Sequence, residues 1–335
     1  MFKKSIILIG VFLLVAGGLS IGLYVVLNHY GNTPIADLKS DIIIQIRSGQ
    51  SFREMVKQLS RVGLLRDPVK FRLLARVRRL DTKIQAGEYK FSPPVTPNEI
   101  LKTLSTGQTI LYSVTIPEGY HLYQIAELLE NTGILDGKRF IAAALDPEQV
   151  RKSGIDGNSF EGYLFPDTYR FPKEIEADTV IKTMLNRFRE VFMPEWGKKG
   201  HSFSLSLHEV VTLASMVEKE TGVPSERPLI AAVFLNRLKR GMRLESDPTV
   251  IYGIEDFNGN LTHEDLERYT PYNTYKIQGL PPGPIANPGL DSLKSILNPA
   301  DEPYIYFVSK NNGTHVFSRT IKEHNRAVKK YQKVR

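Results

Sequence analysis

Leu213-Ala-Ser-Met-Val-Glu-Lys-Glu-Thr221 closes the most strongly patterned stretch of this chain. Apolar residues recur at Leu207, Val210, Val211, Ala214 and Val217, the three-and-four spacing of a helix with one buried face. Glu218 lies four residues past Ala214 and seven past Val211, so it shares the edge of that face. Glu220 falls roughly 200° further round the helix, where solvent is the default. A carboxylate aimed at an apolar interior has its charged form disfavoured, which suits a general acid. The same position equally suits a buried glutamate paired with an arginine such as Arg227 or Arg237. The helix alone leaves both readings open.

Outward from this helix the signals alternate between helix and rigid loop. A helix is expected over about Ala177–Phe192 on one side. On the other, Ser225 and Pro228 open a helix that Gly241 closes, with an apolar stripe through Ile230, Val233, Phe234 and Leu238. Asp247-Pro248 is an N-cap and N1 pair, so Asp247 taken alone reads as the cap of a short helix. Pro271-Tyr-Asn-Thr-Tyr-Lys276 and Gly279-Leu-Pro-Pro-Gly-Pro-Ile285 cannot be helix interiors or central strands. Such rigid loops suit the wall of a cleft. Tyr304–Val308 and Thr314–Phe317, separated by Asn312-Gly313, form a strand-turn-strand hairpin. Phe160–Pro172 packs five aromatics and two prolines, and reads as an extended loop for stacking on sugar rings or for pinning itself.

The N-terminus sets the compartment. Lys3 and Lys4 precede an uncharged apolar run from Ser5 to Leu27, which as a helix would be ~35 Å long and span a bilayer. The basic flank puts the N-terminus in the cytoplasm and the rest outside. A cleaved signal peptide competes, but the run outlasts the usual ~7–15-residue apolar core of one. With no cysteine anywhere, the exported portion has no disulfides and no thiolate catalysis or lipoprotein anchor. The net charge of +8 gathers at Arg72, Arg76, Arg78 and Arg79, and again at Lys322, Arg326, Lys329, Lys330, Lys333 and Arg335. Export turns this away from nucleic acid and toward anionic lipid or an acidic wall polymer. A solvated helix face and tail is an equal reading of the second cluster.

Between anchor and patterned helix the chain repeats once at an offset of seventy residues. Ile44–Gly49 matches Val114–Gly119, Leu59 matches Leu129, Gly63 matches Gly133, and Phe71 matches Phe140 after a one-residue slip. Each copy reads as strand, Gly turn, helix, Gly stop and second helix. The first copy adds the strand Ala86–Phe91 and a short helix near Thr96–Ser105. That order is similar to a LysM-type glycan-binding module, and equally compatible with a spacer. The fold class is α+β: an N-terminal transmembrane helix, small LysM-like α+β modules, and a mixed α+β catalytic domain ending in a β-hairpin. The expected divisions are a cytoplasmic end at 1–4, an anchor at 5–27, a linker at 28–40, modules at 41–110 and 111–158, and a catalytic domain at 159–335.

Several chemistries are set aside. His208-Glu209 lacks the second histidine of a zincin helix, and no P-loop, dinucleotide fingerprint or Gly-x-Ser-x-Gly stands in a suitable context.

Phe160–Thr168, Val217–Thr221, Asn236-Arg237, Ser246–Gly253, Tyr272–Tyr275, Gly279–Ile285 and Asn287-Pro288 occur in an order that resembles the endolytic murein transglycosylases, the YceG-like family. The resemblance covers essentially the whole chain. It implies cleavage of nascent peptidoglycan strands between N-acetylmuramic acid and N-acetylglucosamine, leaving 1,6-anhydromuramyl ends, with Glu218 in the place of the catalytic glutamate. The muramyl C6 hydroxyl is then the nucleophile, so Glu218 is expected to act alone, as acid and then base, without the second carboxylate that ordinary glycosidases place within about 10 Å. Tyr252, Asn273, Thr274, Tyr275, Glu161 and Asp247 are the expected substrate-binding residues, and no metal or cofactor is called for. The implied partners are glycan strands, the cytoplasmic membrane through the N-terminal helix, and peptidoglycan synthases. Two other readings remain: a hydrolase pairing Glu218 with Asp247 or Glu161, and a non-enzymatic scaffold of the cell wall.

Overall fold

The computed structural model describes residues 2–35, 40–200 and 204–332, with side chains from Gly10 onward. The side chains of Lys3 and Lys4, residues 36–39 of the expected linker, and Lys333 and Arg335 lie outside the described residues. The protein is mixed α+β, mostly helical, and its strands pair two by two. It divides into two compact units, 1–112 and 113–335.

The first unit comprises α1 (Phe2–Asn32), β1 (Ile42–Ile46), α2 (Phe52–Arg61), α3 (Pro68–Val77), β2 (Gly87–Phe91) and α4 (Pro97–Thr106). Helix α1 runs past the expected end of the anchor at Leu27, so the first residues of the expected linker are helical. The other helix starts follow from local chemistry. Ser51 with Glu54 and Thr96 with Glu99 form reciprocal capping boxes, and Asp67 caps α3 ahead of Pro68. Strands β1 and β2 pair antiparallel, Ile44 opposite Tyr89 and Ile46 opposite Gly87. Ile44, Ile46, Tyr89 and Phe91 all face the core with Leu59, Phe71 and Leu101.

The second unit begins within β3 (Tyr112–Thr115), after its first residue, and continues with α5 (Leu122–Asn131), α6 (Gly137–Ala144) and α7 (Pro147–Lys152). Its first part repeats the first unit's order. Each copy closes its first helix on a left-handed glycine, Gly63 at φ 80° and Gly133 at φ 67°. Leu59 and Leu129, Leu64 and Ile134, and Phe71 and Phe140 are buried as matched pairs. The second copy is not a separate body, however. Strand β3 pairs with β4 (Thr168–Phe171), and α6 packs on α8 (Ala177–Lys199). The expected division at 158/159 therefore falls inside one compact unit, because those apolar faces are covered by the chain beyond it. Phe160–Pro172 is also not wholly loop, since β4 lies within it.

The remaining elements are α9 (Leu207–Glu220), α10 (Arg227–Lys239), α11 (Asp247–Tyr252), α12 (His263–Glu267), α13 (Leu290–Leu297), the hairpin β5 (Tyr306–Ser309) and β6 (His315–Ser318), and α14 (Ile321–Tyr331). A short 3₁₀ turn, Pro224–Glu226, leads into α10. Helix α9 is more central than its pattern predicts. Every residue from Val210 to Val217 is buried, including Thr212 and Ser215, because α10, α11 and α13 all pack on it. The two buried hydroxyls are satisfied within the helix, Thr212 by the His208 carbonyl and Ser215 by that of Thr212.

Candidate active site

Beyond Val217 the buried helix α9 ends in Glu218-Lys219-Glu220, which diverge. Glu218 turns into a cluster of charge. Its Oε1 lies 3.0 Å from Arg227 Nη2, and its Oε2 accepts the Gly289 N–H at 3.0 Å. The side chains of Glu218 and Arg227 are only 6% and 8% exposed. The same guanidinium lies 3.2 Å from Glu118 and 3.6 Å from Asp291. Burial, reinforced by the negative charge of Glu218, pushes the Glu118 carboxyl up from its ordinary value, against the pull of Arg227. The arginine pairing therefore exists, and with Arg227. Arg237 instead serves Glu245 and the carbonyls of Arg243, Leu244 and Ile305. The expectation of no second carboxylate is corrected. Glu118 and Glu218 share one nitrogen at 3.2 and 3.0 Å, which places them well inside the ~10 Å range of paired glycosidase carboxylates.

Glu220 differs from expectation in the opposite direction. It is half-buried rather than solvated, because the segment entering α11 folds across it. Ser246 Oγ donates to its Oε1 at 2.5 Å, while among the described residues Oε2 makes no hydrogen bond. Burial pushes the carboxyl up to about 7, and nearby Asp247 adds to this, while the Ser246 bond and Arg237 oppose it. A carboxylate near neutrality with one oxygen unengaged is equipped both to give and to take a proton.

Two sequence motifs build the wall around Glu220. Thr274 Oγ1 accepts the Ser246 N–H at 2.9 Å and lies 2.8 Å from Thr249 Oγ1. Asn273 spends its amide on the carbonyls of Leu266 and Arg268 and accepts the Tyr275 N–H. Both Asn273 and Thr274 are fully buried, so they are struts of the loop and not sugar contacts as expected. Tyr275 and Asp247 do come together at the surface. The Tyr275 hydroxyl donates to exposed Asp247 at 2.7 Å, and burial pushes that hydroxyl's pKa up. Asp247 is not the cap of α11 either, since it is the helix's first residue and Ser246 holds the cap position.

Glu161 is likewise interior, at 1% exposure. It accepts the Leu122 N–H at 3.0 Å, the Tyr252 hydroxyl at 3.1 Å and the Asn287 amide at 2.9 Å. Burial lifts its carboxyl to about 7 against the pull of those donors. It acts as an internal clamp, out of reach of substrate. Tyr252 is half-buried, tied to Glu161 by its hydroxyl, with its ring 4.8 Å from Tyr272 and 6.3 Å from His121. His121 in turn meets Tyr123, which is 59% exposed. Burial, with help from Lys219, holds the His121 imidazole below its ordinary pKa.

Of this aromatic group only Tyr252 was among the expected site residues; His121, Tyr123 and Tyr272, like Glu220 and Ser246, were not. A signal for the group existed in the internal repeat: at the seventy-residue offset, His121 and Tyr123 replace Ser51 and Arg53 of the first copy. The capping geometry is kept in both copies, so the change to aromatics is not explained by helix initiation.

The Pro/Gly loop is fixed to α9. Ile285 N–H donates to Ser215 Oγ at 3.0 Å, and His208 bridges Tyr163 and the Pro282 carbonyl. Asn287 holds the Tyr120 carbonyl and the Leu164 N–H. Gly162 has φ 86°, and a Cβ there would stand 2.5 Å from Pro284 and 2.8 Å from Val211. Gly162→Ala is therefore expected to push the loop off α9 and destabilise the protein by about 1–3 kcal/mol. Thermal unfolding checks this, and an unchanged midpoint would mean the loop is free to shift. Among the described residues no group of three or more His, Asp or Glu is placed to hold a metal ion.

A helix-centred α+β unit, with a near-neutral carboxylate at the end of its buried helix and rigid motif loops around it, has the form of an acid–base active site. The model of the YceG-like family matches residues 44–330, and the chain belongs to that family. It is 34% identical over 314 residues to an endolytic murein transglycosylase of Bacillus subtilis, covering 88% of this chain and 86% of that one. It is 31% identical over 329 residues to an endolytic murein transglycosylase of Streptococcus pneumoniae, covering 88% of this chain but only 59% of the longer streptococcal protein. A crystal structure of a YceG-like protein from Listeria monocytogenes superposes with a TM-score of 0.59 at 32% identity. That match covers 86% of this chain and 99% of the Listeria chain.

Proposed function

We propose that the protein is a membrane-anchored peptidoglycan lytic transglycosylase that cleaves the bond between N-acetylmuramic acid and N-acetylglucosamine without water. The relatives named endolytic murein transglycosylases support the reaction class. The observation that carries the chemistry is the geometry of Glu220, whose Oε2 makes no hydrogen bond among the described residues and which stands beside the Asp247–Tyr275 pair.

In this reading the acid–base role moves from Glu218 to Glu220. Both oxygens of Glu218 are occupied, by Arg227 and Gly289, whereas Glu220 keeps one for substrate. Protonated Glu220 gives its proton to the glycosidic oxygen as the bond to the muramyl C1 breaks. The resulting carboxylate then takes the proton of the muramyl C6 hydroxyl as that oxygen closes on C1. Atoms balance without water or a cofactor, and Glu220 returns to its starting form. Asp247 presents negative charge near the oxocarbenium-like centre, and the Tyr123, Tyr252 and Tyr272 rings offer a stacking edge for sugars.

The apolar N-terminal helix supports a single-pass anchor in the cytoplasmic membrane, with residues 1–4 inside and the chain beyond the span on the outer face. Such an anchor favours nascent strands over mature wall, consistent with terminating glycan elongation beside peptidoglycan synthases. Mass spectrometry of products from purified glycan strands tests the reading. Anhydromuramyl ends are expected. Reducing ends would assign a hydrolase, with Asp247 as the second carboxylate, and intact strands would assign a scaffold.

A further inference from the structure

Helix α3 buries one face and presents an apolar row on the other. Phe71, Leu74 and Ala75 pack into the first unit's core. Val69, Leu73 and Val77 are 55%, 39% and 54% exposed. Their four-residue spacing confines them to an arc of about 80°. Exposed Lys70 borders that row on one side and exposed Arg72 and Arg76 on the other, with Arg78 and Arg79 following. An apolar stripe bordered by cations is the composition of a helix lying at the boundary of lipid headgroups and acyl chains.

Helix α1 sets the height of α3. Leu27, the last residue of the apolar run, is 3% exposed within the same core as Phe71 and Leu74. The Tyr30 hydroxyl donates to the carbonyl of Asp67, the residue that caps α3. A hydrocarbon core takes ~20 helical residues, which the run Ser5–Leu27 supplies. The packed core of the first unit therefore begins where such a span emerges. A cavity of about 480 Å³ at that junction has an apolar wall from Val25 and Val26, with Arg66 and Lys70 also lining it.

We propose that α3 is a second membrane contact, seated on the outer leaflet, with its apolar row among the acyl chains and Lys70, Arg72 and Arg76 on the phosphates of anionic phospholipids. The proposal rests on reading α1 as an uncleaved span. Two attachments restrict how the first unit tilts on the bilayer, which a single helix does not.

The cysteine-free chain allows single labels. The full chain carrying a fluorophore at Leu14→Cys, Leu73→Cys or Ser48→Cys is placed in vesicles containing a doxyl-lipid quencher. The vesicles are phosphatidylcholine with or without phosphatidylglycerol. Leu14 reports the span, and Ser48 lies in the exposed turn that ends β1, outside the lining of the junction cavity. Quenching is expected at Leu14 in both mixtures, at Leu73 in the anionic mixture, and not at Ser48. Arg72→Glu with Arg76→Glu is expected to lower the docked-to-undocked ratio at Leu73 by at least roughly tenfold. Loss of the Leu14 signal would overturn the anchor. With Leu14 quenched, a Leu73 signal no stronger than that of Ser48, or insensitive to the charge reversal, would overturn the role of α3. A Leu73 signal that vanished on diluting protein in lipid would assign the row to a second copy of the chain.

Discussion

Glu220→Gln is expected to lower the turnover of purified glycan strands by roughly 10²–10⁴-fold, the usual worth of a positioned acid–base group. The amide can still accept the Ser246 hydroxyl, so the fold should persist. Glu218→Gln should behave differently. It weakens an ion pair whose arginine retains Glu118 and Asp291, so a stability loss of about 1–3 kcal/mol is expected with catalysis largely kept. The pH profile separates the two roles further. An acid with its pKa raised to about 7 must be protonated to act, so kcat/KM should fall as pH rises through about 7. The same shift affects stability. The contribution of Glu220 is fully present below the ordinary carboxylate value of 4.5, and is lost as pH rises through about 7. Glu220→Gln should remove that slope. If Glu218→Gln proved the dead variant while Glu220→Gln turned over normally, the acid–base role would return to Glu218.

Helices α9, α10 and α11 and the last hairpin were legible because their signals are local. Ser206 with Glu209 caps α9, Pro248 stands in the first turn of α11, and an Asn-Gly turn separates the last strands. The apolar N-terminal helix and the repeat were equally plain, being matters of apolar length and spacing. The surroundings of Glu218 and Glu220 were not legible, because helical periodicity says which side a residue faces but not what distant chain covers that side. Glu220 lies on the side expected to face solvent, yet Ser246, twenty-six residues on, reaches over it. Arg227 was named as one of two partners for Glu218, but Glu118 and Asp291 reach the same guanidinium from remote parts of the sequence. Asn273, Thr274 and Glu161 carried the polar chemistry of a binding site in segments that resemble the family's motifs. Their burial makes them the framework that shapes those motifs. A polar residue in a motif loop has two uses, ligand contact and backbone satisfaction, and only its exposure distinguishes them.

Glu161→Ala should be among the most damaging substitutions in the second unit, although it lies away from the reacting bond. It would strand three donors in the interior: the first N–H of α5, the Tyr252 hydroxyl and the Asn287 amide. Unsatisfied buried donors cost about 1–3 kcal/mol each and add incompletely, so a loss of about 3–5 kcal/mol is expected. For a unit of this size that lowers the melting midpoint by roughly 6–20 °C. Glu161→Gln retains the shape and one acceptor, and the Tyr252 hydroxyl can rotate to accept, so its loss should be smaller. Its dependence on pH identifies the cause. The folded carboxyl has its pKa raised by burial to about 7, so its stabilising contribution is greatest below 4.5 and is lost as pH rises through about 7. Glutamine does not titrate. The midpoint gap between wild type and Glu161→Gln should therefore narrow steadily from pH 5 to pH 8. A gap that stayed constant would show that Glu161 is ionised throughout, its donors outweighing burial. A gap near zero for Glu161→Ala would remove it from the framework altogether.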